Sequence, residues 1–296
     1  MLAALLPDRG VVKVDGADAR PFLNGLITSD MAKVAPDRAA FAALLTPQGK
    51  IIADFIVAQA EPSDGGGFFL DCPRALVLTL VERLNFYKLR AKVIVEDLSD
   101  ILSVLAIWGG SGSSEYGLLY VDPRLPELGL RMMLPPHLAA AAAKDLGAEL
   151  VDAAEYEAHR IALAVPRGGL DFVYGDAFPH ETDMDQLYGV DFEKGCFVGQ
   201  EVVSRIEHRG IARNRILGVR YDGFAPEPGV PVQAHEKTLG TFGSAARGHG
   251  LAMLRLDRAA EALASGAGIT AGGVAVQVVK PAWARFAFPP ATKAAE

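Results

Sequence analysis

A chain of 296 residues is long for one domain and ordinary for two or three. Half of it is hydrophobic, 22% is charged and the formal net charge is −7, which provides core material and argues against a broad electrostatic grip on nucleic acid. Two cysteines, Cys72 and Cys196, exclude a disulfide framework, lack zinc-ligand spacing and fit a reducing cytoplasm. No apolar run approaches the roughly 18 residues of a membrane span. The opening MLAALLPDRG lacks the basic segment and cleavage site of a signal peptide.

GVVKVDG reads as a short strand, and ADARPFLNGLITSD as a helix with Asp18 at its N-cap and Phe22, Leu23 and Leu26 on one face. AFAALL and IIADFIVAQA flank TPQGK, a hairpin signal built on Pro47 and Gly49. GGGFFLDCP adds a strand, and RALVLTLVERLNFYKLR has Leu76, Leu80, Leu84 and Tyr87 at helical spacing. AKVIVEDLSD, ILSVLAIWG, GLLYVDPR and LGLRMMLP read as strands, and PPHLAAAAAKDLGAEL as a helix closed by Gly147. AAEYEAHRIALAVP is a helix stopped at Pro166, followed by a long turn-rich region. Beyond a boundary near 209–215, short strands separated by Gly and Pro predict a small β-barrel, and PPATKAAE a frayed tail. Mixed elements without regular βαβ spacing predict an α+β protein.

The chemistry concentrates in FEKGCFVGQEVVSRIEHRG, residues 192–210. Free cysteine is often a small core residue, and Cys72 in FFLDCPRAL fits that reading. Cys196 has Gly195 and Gly199 beside it, which suit a sharp bend, and the cations Lys194 and Arg205, which favour a thiolate. The local sequence leaves structural and functional readings of Cys196 equally open. A hydrolytic cysteine needs a histidine base; His208 reads as solvated and His180, in AFPHETDMDQ, as a turn residue. One cysteine cannot hold an iron–sulfur cluster alone. The basic run Arg205, His208, Arg209, Arg213 and Arg215 reads as solvated charge flanking the linker, with contact to RNA or a partner as the alternative.

KGCFVGQE resembles the K-G-C-[FY]-x-G-Q-E signature of the YgfZ branch of the YgfZ/GcvT family. FLNGLITSD, LLTPQGKIIADFIV, YKLRAKV, HRIALAVPRGGLDF, FPHETDMDQLYGVDFEKGC, LGTFGSAARGHGLAMLR and VVKPAW follow in that family's order, so the resemblance covers about residues 10 to 285. It implies an aminomethyltransferase-like arrangement around a central channel: an α+β module from 1–40 and 150–210, a ferredoxin-like module from 41–149, and a β-barrel from 211–290. It implies tetrahydrofolate held among Asn24, Asp54, Tyr87, Arg90 and Arg160, with Arg90, Arg205 or Arg209 on its anionic tail.

The resemblance further implies an accessory role in assembly or repair of iron–sulfur proteins, especially [4Fe–4S] radical-SAM enzymes, some of which modify tRNA. In that reading Cys196 transiently ligates a [4Fe–4S] or [2Fe–2S] cluster, or forms a mixed disulfide or persulfide in transit, and Gln200 and Glu201 fix the loop or touch the partner. Client enzymes and assembly proteins are the expected partners of a monomer that engages neither membrane nor nucleic acid. The alternative is a tetrahydrofolate-dependent aminomethyltransferase or demethylase using Asp54. Against it, RIALA keeps Arg160 but places Ala162 where the family's enzymes carry a pterin-binding glutamate.

Overall fold

The computed structural model describes residues 1–210 and 212–287, so the expected frayed tail lies outside the described residues. The chain forms β1 (Leu2–Leu6), β2 (Arg9–Asp15), α1 (Ala19–Leu26), β3 (Ala40–Leu45), β4 (Ile51–Gln59), β5 (Phe68–Pro73), α2 (Val77–Lys88), β6 (Ile94–Asp97), β7 (Ser103–Trp108), β8 (Leu118–Val121), β9 (Leu130–Leu134), α3 (Ala139–Asp145), β10 (Glu149–Leu150) and α4 (Ala153–Ala162). After a segment without regular elements come α5 (Gln200–Arg209), β11 (Asn214–Tyr221), β12 (Pro231–Ala234), β13 (Lys237–Ala246), β14 (His249–Arg255), α6 (Leu256–Ala264), β15 (Ile269–Ala271) and β16 (Val274–Val279). The fold is α+β, as the mixed pattern predicts. Two compact units divide it: residues 1–156 with 187–201, and residues 157–186 with the chain from 202 onward.

The first unit holds two five-stranded sheets, ordered β3-β4-β5-β2-β6 and β10-β1-β7-β9-β8. The strands therefore group as residues 9–97 and as 2–6 with 103–150, whereas the expected modules divided at residue 40. The hairpin reads through as predicted: β3 and β4 pair antiparallel around the Thr46–Lys50 turn. Alternation then sorts β4 onto two faces. Ala53, Phe55 and Val57 join Leu23 of α1 and Leu80 and Leu84 of α2 in one apolar core. Asp54 and Ile56 point the other way. Asp18 stands at the N-cap position of α1, but its carboxylate accepts from Lys92 N instead of capping.

The face opposite that core carries charge. Asp71 on β5 is fully buried and accepts from Arg9 Nε at 2.6 Å, Arg131 Nη1 at 2.6 Å and the Tyr120 hydroxyl at 3.1 Å. Arg131, on β9 of the second sheet, also donates to Asp122 at 2.8 Å and to the Tyr156 hydroxyl at 3.0 Å. Burial alone would raise the Asp71 carboxyl, but Arg9 and Arg131 outweigh it and hold it below the ordinary carboxylate range. Asp122 is likewise held low, its burial outweighed by Arg124 and Arg131.

In the second unit β11-β14-β13-β12-β15-β16 close into a six-stranded barrel around Leu217, Phe242, Leu254 and Val276. Leu256, Ala259 and Ala262 of α6 pack into the same core. Residues 157–186 are stitched to the barrel by buried ion pairs. Arg215, expected in a solvated basic run, is 5% exposed and grips Asp185 through both Nη atoms at 2.5 and 2.9 Å. Arg205, His208, Arg209 and Arg213 are exposed as expected.

Asp71→Asn should therefore cost on the order of 3–5 kcal/mol, because it leaves buried guanidiniums half paired. Tyr120→Phe, which removes one neutral donor, should cost about 1 kcal/mol. Carboxyls depressed in the folded state stabilise above their unfolded pKa of about 4, and that contribution is lost as pH falls below it. Asp183, pushed up mainly by burial, has the opposite sign. Denaturant melts between pH 6 and 3 should show wild-type stability falling with acid, with a shallower fall in Asp71→Asn; equal slopes would exclude Asp71 as a source of the acid sensitivity.

Candidate functional site

The motif loop is anchored on both sides of its cysteine. Lys194 is buried, and its ammonium donates to three backbone carbonyls: Asn24 at 2.8 Å, Ile27 at 2.7 Å and Ser29 at 2.8 Å. These lie at and just beyond the C-terminal end of α1, where helix carbonyls lack intrahelical partners and favour a cation. Burial pushes the ammonium down to about 8, opposed by Asp30 and Asp191. On the far side, the Phe197 ring lies 5.2 Å from Lys194 Nζ, and Val198 packs on the α1–α2 core. Gly199 has φ +82, and a Cβ there would sit 2.6 Å from Thr46 O in the hairpin turn, so glycine is required on both counts.

Between the anchors, Gly195 and Cys196 are exposed. A Cβ on Gly195 would meet nothing within 4 Å, and its φ is not in the left-handed region, so the sharp bend expected of both glycines belongs to Gly199. Cys72, by contrast, is fully buried, and burial pushes its thiol up to about 12, which makes it inert. Gln200 opens α5, and Glu201 and Arg205 lie exposed on that helix. Arg205 falls in the second unit.

The structure gives the expected folate residues separate duties. The Asn24 side chain accepts from Met31 N, and its own carbonyl receives Lys194. Asp54 is buried, and its charge is felt by Arg9. Tyr87 leans on the apolar core, and Arg90 is exposed. Arg160, in the second unit, uses all five N–H donors on Glu157 (two bonds), the Val165 carbonyl, Asp171 and Ser244. It is a structural clamp with no donor left for a ligand. Ala162 beside it is exposed.

Sequence reasoning passed over the cavity next to the motif loop. It has a volume of about 690 Å³, within the range of small-molecule pockets, and Phe192 and Glu193 form part of its wall. Phe41 lines it, with the Arg124 guanidinium 5.6 Å from the ring centroid. Arg124 is held by Asp122 through Nε and Nη2, while its Nη1 has no hydrogen-bond partner among the described residues. Lys33 and Arg38 also line it, but the five carboxylates of Asp30, Asp37, Asp122, Asp191 and Glu193 outnumber the three cations, and Lys33 is paired with Asp191. The missed signal was the D-x-R spacing of YVDPR, together with an arginine inside the apolar run LGLRMMLP; a charge in a buried strand demands a partner.

In the second unit His180, Asp185 and Glu207 bring one ligand atom each within 4.8 Å of one another. His180 bonds Glu207 at 3.0 Å, and Asp185 is held bidentately by Arg215, so the trio is already engaged in contacts that tie it to the barrel. Among the described residues no helix is long and apolar enough to cross a membrane.

Two family models match the chain: the GCVT N-terminal domain over residues 8–114 and the CAF17 C-terminal β-barrel domain over residues 213–286. The mitochondrial iron–sulfur cluster assembly factor IBA57 homolog of Mycosarcoma maydis is 36% identical over 232 residues, 74% of this chain and 57% of that protein. The chain thus spans little more than half of the fungal relative. The human IBA57 is 31% identical, covering 84% of this chain and 76% of the relative, and the mouse protein 32%, covering 85% and 77%. These relatives are mitochondrial, which corrects the expectation of a cytoplasmic protein. The aminomethyltransferase T of the glycine cleavage system from Bartonella henselae superposes with a TM-score of 0.74 over 95% of this chain and 86% of its own, at 17% identity. The fold is thus aminomethyltransferase-like with a C-terminal six-stranded barrel, and the chain belongs to the IBA57 family of iron–sulfur cluster assembly factors.

Proposed function

We propose that this protein is an accessory factor in iron–sulfur cluster assembly or repair, and that Cys196 is its working group. One observation carries the reading: a motif of eight residues spends Lys194, Phe197 and Gly199 on fixing the loop and leaves Gly195 and Cys196 exposed. In the proposed step the Cys196 thiol gives its proton to solvent, and the sulfur takes a coordination position on an iron of a partner-held cluster, replacing a departing ligand. No electron changes hands. The KGCFVGQE signature supports placement in the YgfZ-type branch, with [4Fe–4S] enzymes, including radical-SAM and tRNA-modifying enzymes, as the proposed clients. The chain acts as a maturation factor in this reading and not as a transferase.

A second reading concerns the pocket. We infer that it receives a folate-class ligand, tetrahydrofolate being the proposed cofactor. Phe41 offers a flat apolar wall for a ring, the open Nη1 of Arg124 suits a carbonyl, and the carboxylates of the lining suit the N–H donors along a pterin edge.

Cys196→Ser should leave the melting temperature within about 1 °C of wild type, as expected for an exposed substitution. Wild-type protein mixed anaerobically with a [2Fe–2S] or [4Fe–4S] donor protein should change the visible circular dichroism, and Cys196→Ser should abolish that change. An unchanged signal in the serine variant would overturn the thiol reading. For the pocket, calorimetric titration with tetrahydrofolate under reducing conditions should show affinity at least tenfold weaker in Phe41→Ala and little changed in Asp54→Ala. Loss in Asp54→Ala alone would move the ligand away from the pocket, and no binding by wild type would remove folate from the account.

A further inference from the structure

The sequence suggests Lys194 as a cation that activates its neighbour thiol, but the geometry gives it another task. An ammonium has three N–H donors, and all three are taken by the carbonyls of Asn24, Ile27 and Ser29 at 2.7–2.8 Å. None remains for Cys196 Sγ. The side chain runs inward, is 8% exposed, and ends beside the Phe197 ring on the other side of the cysteine. We propose that Lys194 is the positioning residue for Cys196: its ammonium staples the motif loop to the C-terminal end of α1 and so fixes where the thiol is presented. The inference rests on reading Cys196 as the working group.

The staple has a chemical signature. Three carbonyls arranged around one nitrogen match the tetrahedral fork of an ammonium. The planar guanidinium of arginine carries the same charge but directs its donors in one plane from a bulkier head. A role as mere nearby charge survives replacement by arginine; a role as staple does not. The opposite anchor, Gly199 against Thr46 O, remains in either variant, so the loop is released at one end only.

The test compares wild type, Lys194→Arg, Lys194→Met and Cys196→Ser. Hydrogen exchange at residues 195–199 should rise at least tenfold in both lysine variants, with exchange in the barrel strands unchanged. Alkylation of Cys196, followed by peptide mass spectrometry with buried Cys72 as internal reference, should lose its single rate. The dichroic signal with the cluster donor should fall at least tenfold in both. Wild-type exchange and signal in Lys194→Arg would overturn the staple and restore the charge role. Should Lys194→Met fail to fold, Lys194→Arg still decides. A Cys196→Ser variant that keeps the cluster signal would sink the thiol reading alone, leaving the exchange data to decide the staple.

Discussion

Asp71 is the residue on which the first unit turns. Its carboxylate collects donors from β2, β8 and β9, which belong to both sheets, and Arg131 passes the connection on to Asp122. A buried ion network of this kind is weak evidence for stability, since apolar residues of equal volume often serve as well. What it supplies is a defined alignment. Apolar faces can slide over one another at little cost, whereas a carboxylate with three fixed donors permits one arrangement. The effect reaches the pocket, because Asp122 also sets the guanidinium of Arg124 against Phe41.

The motif loop applies the same logic on a smaller scale. Lys194 and Phe197 are buried in the protein, and Gly195 and the Cys196 thiol between them are exposed. A lysine buried for its donors and a glycine held at a positive φ against Thr46 O are both costly to replace, while the glycine beside the cysteine is not. The fold thus separates the residues that hold the loop from those that a cluster-bearing partner would meet.

Much of this was legible in the residues. Period-two runs and turn residues gave the β3–β4 hairpin, the sheet strands other than β1 and the two-residue β10, and all but the shortest barrel strands. β1 was missed because five apolar residues at a chain start carry no alternation, yet it lies between β10 and β7. α6 was missed because a nine-residue helix follows a strand without a break. α5 was absorbed into a turn-rich segment, since its charged face hides a pattern in which only Val203 is buried. Cys196 stood out because its neighbours are unusual, and it is exposed. The destinations of Lys194, Arg160 and Arg215 were not, because local sequence shows a charge but not the carbonyls or carboxylates that the fold brings to it from up to 170 positions away.

Those destinations bear on the transferase alternative. Folate chemistry of that kind requires polar groups with spare bonding capacity along the pterin edge. Arg160 has no spare donor, Ala162 has no side-chain acceptor, and Asp54 lies buried within reach of the field of Arg9. Asn24 and Arg160 are held by the fold, while the thiol of Cys196 is exposed. Under the proposed function, a scaffold that spends Arg160 on its own ion pairs and presents a thiol on a braced loop places its chemistry at a sulfur on the surface. That is the form expected of a protein whose substrate is carried in by another protein.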